Sequence, residues 1–92
     1  MTKSQERAVE RLVELLDTIT GGARCRYSTE LVGDYIWLHW TRTTAHSTTE
    51  GRVRIGKRGG VVAISGTGYE IPINRGSALD ICKAEDLYMS RW

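Results

Sequence analysis

The stretch of sequence that decides the fold runs from Gly51 to Ile73 and reads GRVRIGKRGGVVAISGTGYEIPI. Two-residue turns at Arg58–Gly59 and Thr67–Gly68 would divide it into three short strands. One set of apolar residues then lies on a single face of the strands: Val53, Ile55, Val62, Ile64, Ile71 and Ile73. A shift of one residue would move part of this set to the other face. The stretch therefore predicts a three-stranded antiparallel meander with Ile55 opposite Val62.

The segment before this stretch predicts a hairpin. Residues 24–42 read RCRYSTELVGDYIWLHWTR, and a glycine at the first central position suits a type II′ turn at Gly33–Asp34. This turn sets Tyr27 opposite Trp40 and collects the apolar side chains on one face. We therefore expect Trp40 to lie in the core.

The connection between this hairpin and the meander is rich in Ser and Thr. Residues 41–50 read TRTTAHSTTE and predict either a mobile loop or a protruding two-stranded arm, because β-branched threonine is compatible with a strand. Closed as a hairpin around His46–Ser47, the arm would set Trp40 opposite Val53. The core face of the hairpin would then continue into the meander.

Helical patterns flank the predicted sheet. Thr2 with Gln5 three residues later, or Ser4 alone, can cap a first helix that the Gly21–Gly22 pair ends. Its apolar residues recur at helical spacing: Val9, Leu12, Val13, Leu16 and Ile19. Ser77 marks the start of a second helix, with Asp80 in its first turn. The apolar stripe of that helix is less regular: Ala78, Leu79, Cys82 and Met89, with Ile81, Ala84 or Leu87 alongside.

These elements predict an α+β fold with the order α-β-β-β-β-β-α. The sheet is an antiparallel meander, both helices pack on one face, and the other face is open. A chain of 92 residues supplies a single domain, residues 1–92, and is too small for the common large enzyme folds. Without an apolar run of about 18 residues or a signal-peptide pattern, we expect a soluble, cytoplasmic protein that does not bind membranes. Cys25 and Cys82 match no metal or redox spacing and are expected to be small buried hydrophobic residues.

The open face is the predicted working surface. The expected registers put Arg26 and Arg52 at a basic end of this face and an exposed Trp37 toward an aromatic end. Trp, Tyr and Arg are the residues that dominate binding hot spots. The predicted partner-binding residues are Arg24, Arg26, Tyr35, Trp37, His39, Arg52, Arg54, Lys57 and Arg58. The alternative is that Trp37 and Tyr35 are covered, either by the Thr-rich loop or by a homodimer through the sheet face.

The sequence contains partial matches to catalytic and metal-binding motifs, but none of them indicates a reaction. Residues 51–58 match the spacing G-x-x-x-x-G-K, but Arg58 stands where a phosphate-binding loop needs Ser or Thr. His39 faces Ser28 without an evident third residue to orient the imidazole. Neither histidine has a Cys, Asp or Glu at the spacing of a metal-binding site. We expect no catalytic residue, no metal and no cofactor.

Two functions of different classes fit this surface. The preferred prediction is a non-catalytic protein-binding module, such as an adaptor, an inhibitor or an assembly component. The alternative is a nucleic-acid-binding domain that uses the same arginine and aromatic residues. The net charge of +2 favours a protein partner, because it gives little attraction for phosphate. No motif identifies a family, and the helix, sheet, helix order is similar only in fold to that of double-stranded-RNA-binding domains, which have three strands.

Overall fold

The structure, a computed structural model, describes residues 1–20, 24–43, 46–65, 67–73 and 78–89, with the backbone alone at positions 20, 24 and 78. Its elements are α1 (Lys3–Thr20), β1 (Arg24–Val32), β2 (Tyr35–Thr43), β3 (Thr48–Ile55), β4 (Val61–Ile64), β5 (Glu70–Ile73) and α2 (Ala78–Met89). The strands form one antiparallel sheet in the sequential order β1-β2-β3-β4-β5. The predicted α+β fold with the order α-β-β-β-β-β-α is confirmed.

The core lies between one face of the sheet and both helices. Its buried side chains are Ala8, Leu12, Leu16, Ile36, Leu38, Trp40, Val53, Ile55, Val61, Ala63, Ile81, Ala84 and Leu87. Trp40 is fully buried, as predicted, and the partly buried Val9 and Ile19 complete the α1 stripe. We call this face the helix side of the sheet and the opposite one the open face. Within the described ranges, no helix is both long enough and apolar enough to span a membrane.

The first helix begins with the capping box of Thr2 and Gln5, one of the two predicted caps. Thr2 Oγ1 accepts a hydrogen bond from the Gln5 backbone N–H at 3.1 Å, and Gln5 Oε1 accepts one from the Thr2 backbone N–H at 2.9 Å. Gln5 Nε2 also donates to the carbonyl oxygens of Asp34 and Ile55. The buried Gln5 side chain therefore ties the start of α1 to the sheet. The glycine pair at positions 21–22, predicted to end the helix, lies outside the described residues.

The β1–β2 hairpin has the predicted register and turn. Tyr27 lies opposite Trp40. Gly33 has a φ of 60° and Asp34 does not have a positive φ, as a type II′ turn requires. Tyr27 and Leu31 lie on the helix side but are 52% and 58% exposed, so the helices leave the β1 edge of the sheet uncovered.

The β2–β3 register differs by two residues from the predicted one. Trp40 lies opposite Gly51 rather than Val53, and the strands continue to the pair Thr43–Thr48, so the predicted two-residue turn at His46–Ser47 is wrong. A shift of two residues keeps every side chain on its predicted face. The Trp40 ring lies directly on Gly51, since a Cβ there would be 2.2 Å from the ring. The strands extend as an arm, with residues 44–45 outside the described part.

β4 is displaced by one residue from its predicted register, and this displacement reverses its faces. Ile55 lies opposite Val61 rather than Val62. Val61 and Ala63 consequently point toward the core, whereas Val62 and Ile64 lie on the open face. The predicted pairing of β4 is therefore wrong, although the predicted faces of β3 and β5 are correct.

The length of the two turns beside β4 explains this displacement. The Gly59 N–H donates to the Gly56 carbonyl, the Gly56 N–H donates to the Gly60 carbonyl, and Gly59 has a φ of 87°. This geometry is a type I turn followed by a left-handed glycine, which makes a three-residue loop. The turn after β4 is similar, because Gly68 has a φ of 95° and donates to the Ser65 carbonyl. Each loop is one residue longer than predicted.

α2 buries the residues that were expected alongside the predicted stripe rather than the stripe itself. Ile81, Ala84, Glu85 and Leu87 are buried, whereas three members of the predicted stripe are exposed: Leu79, Cys82 and Met89. The helix is turned so that the Glu85 carboxylate points inward. The prediction for the cysteines is half correct, since Cys25 packs against the core and Cys82 is exposed, and neither forms a disulfide. The predicted cap at Ser77 lies outside the described residues.

Candidate functional site

The open face presents aromatic and basic side chains at its centre. Tyr35, Trp37 and His39 stand at alternate positions of β2, and Arg52 and Arg54 stand at alternate positions of the neighbouring β3. The register sets Trp37 opposite Arg54 and His39 opposite Arg52. Since successive side chains point to opposite faces of a sheet, all five project from the open face. We call these five residues the aromatic–arginine cluster.

The two arginines of the cluster stack on its rings. The Arg54 guanidinium carbon is 4.8 Å from the Tyr35 ring centroid and 6.0 Å from the Trp37 ring centroid. The Arg52 guanidinium carbon is 5.2 Å from the Trp37 centroid. Such contacts contribute roughly 0.5–1 kcal/mol each near the surface. Trp37 is consequently half-buried, and the prediction that it is exposed is wrong.

Both guanidinium groups also have polar partners within the chain. Arg54 Nη1 is 2.6 Å from Glu70 Oε1, and Arg52 Nη2 donates to the Ser65 carbonyl at 2.9 Å. Arg52 Nε is buried and has no hydrogen-bond partner among the described residues. The stacked and bonded side chains are therefore held in place by contacts within the chain itself.

One further aromatic side chain reaches the cluster from α2. β4 pairs only with the last residues of β3, so the earlier part of β3 has a free edge in the described register. α2 covers this edge, where the Glu50 backbone N–H donates to Met89 Sδ at 3.3 Å. The Tyr88 ring lies 5.5 Å from the Arg52 guanidinium carbon and 5.7 Å from the His39 ring. No sequence signal indicated this contact, because it depends on where β4 ends.

Charges and rings are interleaved on the open face. The predicted basic end is wrong, because Glu50 rather than Arg52 lies opposite Thr41. Equal numbers of cations and anions occupy the described side chains of this face: Arg26, Arg52 and Arg54 against Glu30, Glu50 and Glu70. The surface is therefore close to neutral, although the chain has a formal charge of +2.

A groove of about 320 Å³ borders the cluster on the side of β1. Its lining residues are Ser28, Thr29, Glu30, Val32, Trp37, His39 and Arg52. The groove combines an indole ring with a carboxylate, hydroxyl groups and an imidazole. Such a mixture can hold one amphipathic side chain of a partner, because it offers both an apolar wall and hydrogen-bonding groups.

The remaining predicted residues surround the cluster. Arg26 is exposed on β1, and the Arg24 side chain lies outside the described residues. Lys57 and Arg58 are exposed at the turn between β3 and β4. They border a second groove of about 340 Å³ together with Tyr35, so the turn adjoins one end of the cluster.

A buried ion pair on the helix side holds α2 in position. The Glu85 carboxylate accepts hydrogen bonds from Arg42 Nε and Nη2, both at 2.6 Å, from Trp40 Nε1 at 3.0 Å and from Thr49 Oγ1 at 3.2 Å. The hydrogen bond to Glu85 raises the pKa of Arg42, against the opposing effect of burial. A cation whose pKa is raised on folding stabilises the fold at every pH below its unfolded value, so the pair contributes throughout the neutral range.

His39 has a carboxylate neighbour that sequence reasoning missed. Its Nε2 is 3.5 Å from Glu50 Oε1, and Ser28 lies opposite it in the β1–β2 register. Among the described residues no hydrogen bond joins Ser28 to His39, and activation of a serine nucleophile needs that contact. The same part of the chain contains no group of three or more His, Cys, Asp or Glu residues that could hold a metal ion.

No family model matches the sequence, and no curated protein or solved structure is significantly similar to it. Function has therefore to be inferred from the surface itself. The most distinctive feature of that surface is a set of arginine side chains stacked on aromatic rings within a nearly neutral face.

Proposed function

We propose that this protein is a non-catalytic protein-binding module, such as an adaptor, an inhibitor or an assembly component, which contacts its partner through the open face. The observation that carries the proposal is the stacking of Arg52 and Arg54 on Trp37. Trp, Tyr and Arg dominate the hot spots of protein interfaces. Side chains that are already ordered lose less conformational entropy on association, so a prearranged cluster favours tight binding.

The charge distribution favours a protein partner over nucleic acid. Binding to phosphate requires guanidinium donors that can release condensed counterions. Arg54 is instead paired with Glu70 at 2.6 Å, and Arg52 donates to the Ser65 carbonyl. The interleaved carboxylates further reduce any attraction for a polyanion. The chemistry of the face suits a partner surface with an aromatic or aliphatic centre and a polar rim.

Affinity capture from a lysate of the source organism tests the proposal. Immobilised wild-type protein is compared with Trp37→Ala and with Tyr69→Ala, which removes a 62% exposed aromatic ring beside β5 and serves as the matched control. We expect a protein that wild type and Tyr69→Ala retain after nuclease treatment and that Trp37→Ala loses. With that protein purified, Trp37→Ala should weaken binding by about 2 kcal/mol or more. Equal retention by all three proteins, or loss after nuclease treatment, would contradict the proposal.

The folding of Trp37→Ala needs its own control. Loss of the stacking contacts should lower the free energy of unfolding by about 1–2 kcal/mol without changing the far-UV circular dichroism spectrum. Trp40→Ala provides the comparison, because it removes a fully buried indole and should cost about 3–5 kcal/mol. If Trp37→Ala unfolds the domain, the assignment of Trp37 to a binding surface is wrong.

The nucleic-acid alternative is separated by its dependence on salt. A protein that makes about four phosphate contacts should show a log–log slope of about −3 to −4. We expect only weak, salt-reversible binding to generic DNA or RNA at about 0.15 M salt. We also expect Arg52→Glu with Arg54→Glu to reduce partner affinity more than Lys57→Glu with Arg58→Glu. Tight binding to an oligonucleotide with a steep slope would favour the alternative function.

A further inference from the structure

The outer edge of β1 is unusually accessible for a sheet edge. In the described part of the chain, β1 has a strand neighbour on one side only, and every side chain from Arg26 to Val32 is exposed. The strand is nine residues long, pairs with β2 without a bulge and contains neither Pro nor Lys. Short length, bulges, Pro and Lys are the usual features that prevent an edge strand from pairing with another strand, and β1 has none of them. The opposite edge, β5, is four residues long and contains Pro72.

We infer that β1 pairs antiparallel with β1 of a second copy of this chain, about a two-fold axis through Ser28. The sheet would then continue across the two copies, because a two-fold axis perpendicular to the sheet keeps both open faces on the same side. This inference concerns the backbone edge of β1 and needs no partner on the open face, so it stands independently of the proposed function.

The backbone of β1 has the groups that such pairing needs. In a two-residue hairpin the residues beside the turn, here Val32 and Tyr35, form a hydrogen-bonded pair. By the alternation of an antiparallel ladder, Tyr27, Thr29 and Leu31 then direct their N–H and C=O groups away from β2. Pairing about Ser28 sets Tyr27 opposite Thr29 of the second copy, so these outward groups meet one another. The odd-numbered positions provide the hydrogen bonds of the new ladder.

The charges of β1 select the same register. Ser28 is the midpoint of Arg24–Val32, so an axis at this residue pairs the whole strand. It also sets Arg26 opposite Glu30 of the second copy, and Glu30 opposite Arg26. Opposite charges that face each other across two strands attract, whereas like charges repel. A shift by two residues, the smallest that preserves the ladder, separates Arg26 from Glu30. An axis at Tyr27 would set Glu30 opposite Arg24 instead, but it would leave Leu31 and Val32 unpaired.

Apolar side chains of the uncovered edge would be buried by the same pairing. On the helix side, Tyr27 and Leu31 are more than half exposed, and Leu31 would lie opposite Cys25 of the second copy. A groove of about 270 Å³ between Tyr27 and α1, lined in part by Val9 and Val13, would be partly covered. A contact formed mainly by one strand lies at the small end of protein interfaces, so we expect a dissociation constant in the micromolar range.

Pairing would also join the two candidate binding sites. Ser28 lines the groove beside Trp37 and would lie on the axis between the copies. The two grooves would therefore lie next to each other on one continuous face. A dimer could engage a repeated or two-fold symmetric partner at both grooves together, which raises the overall affinity.

Sedimentation velocity over about 1–500 µM protein tests the inference through a charge swap. Wild type should dimerise, and either Arg26→Glu or Glu30→Arg should weaken dimerisation by about tenfold or more, because each sets like charges opposite one another twice. The doubly substituted protein, Arg26→Glu with Glu30→Arg, should restore dimerisation to within about threefold. A wild-type protein that is monomeric at every concentration would overturn the inference, as would a swap that restores nothing.

A backbone substitution provides an independent test. Thr29→Pro removes an outward N–H without removing a bond to β2, and an edge strand tolerates proline at such a position. We expect a folded monomer from Thr29→Pro, whereas the control Thr29→Val should remain a dimer. A dimer that persists in Thr29→Pro would overturn the β1 pairing. If that dimer is also lost in Trp37→Ala, the dimer interface lies on the open face instead.

Discussion

Replacing Glu85 with Ala should destabilise the fold strongly, because it leaves the buried Arg42 guanidinium and Trp40 Nε1 without their acceptor. Removing one partner of a buried ion pair costs about 3–5 kcal/mol. Solvent screening weakens this ion pair only slightly, since the Glu85 and Arg42 side chains are 5% and 13% exposed. A domain of this length has a free energy of unfolding of about 5–14 kcal/mol. The variant should therefore be only marginally stable.

Urea unfolding followed by circular dichroism and tryptophan fluorescence measures this loss. The midpoint should fall while the slope with urea stays the same. Asp86→Ala is the matched control, because it removes an exposed carboxylate from the same helix and should change stability by no more than about 0.5 kcal/mol. Glu85→Leu combined with Arg42→Met should recover much of the lost stability. A loss below about 1 kcal/mol in Glu85→Ala would refute the view that this ion pair holds α2 in place.

Three backbone and capping contacts lead to further predictions. Gly51→Ala should cost about 1–3 kcal/mol in urea unfolding, because a Cβ would meet the buried indole at 2.2 Å, whereas Gly60→Ala, with nothing within 4 Å, should change little. Gly68→Ala should cost about 1 kcal/mol, seen as a lower melting temperature, because its φ of 95° is unfavourable for a residue with a side chain. Gln5→Ala should cost about 1–3 kcal/mol in the same assay, since it breaks the capping box and the bonds to two sheet carbonyls. Effects below about 0.5 kcal/mol would show that these contacts do not stabilise the fold.

Structural features that depend on residues close together in sequence could be predicted. The capping box needs only Thr2 and Gln5, and the β1–β2 register needs only a glycine at position 33 with the apolar alternation around it. Both depend on local backbone geometry, which a short stretch of sequence determines. The faces of β1, β2, β3 and β5 followed from the same alternation.

The β4 register was wrong although the sequence contained a signal against the predicted turn. A two-residue type I′ turn needs a positive φ at both central residues, and Arg58 resists that conformation. Gly59 can adopt it as the third residue of a longer loop, with a φ of 87°. One extra loop residue moved Val62 to the open face and Val61 to the core.

The composition of the candidate site could be predicted in part. Tyr35, Trp37 and the two arginines were placed on the correct face because that placement needs only the period of two. The contribution of Tyr88 could not be predicted, since it depends on a long-range contact at the free edge of β3. The buried position of Glu85 on α2 was missed for a related reason. A glutamate is rarely buried without a partner, and the partner Arg42 lies on a distant strand.

Photo-crosslinking in the source organism tests the central claim most directly, namely that the open face binds a protein. A benzophenone amino acid is placed at Tyr35, which is 45% exposed within the aromatic–arginine cluster, and as a control at Tyr69, which is 62% exposed and lines a groove with Leu87 of α2. We predict a nuclease-resistant adduct with another protein from position 35 and none from position 69. An adduct at position 35 that nuclease removes, or equal adducts at both positions, would contradict the claim.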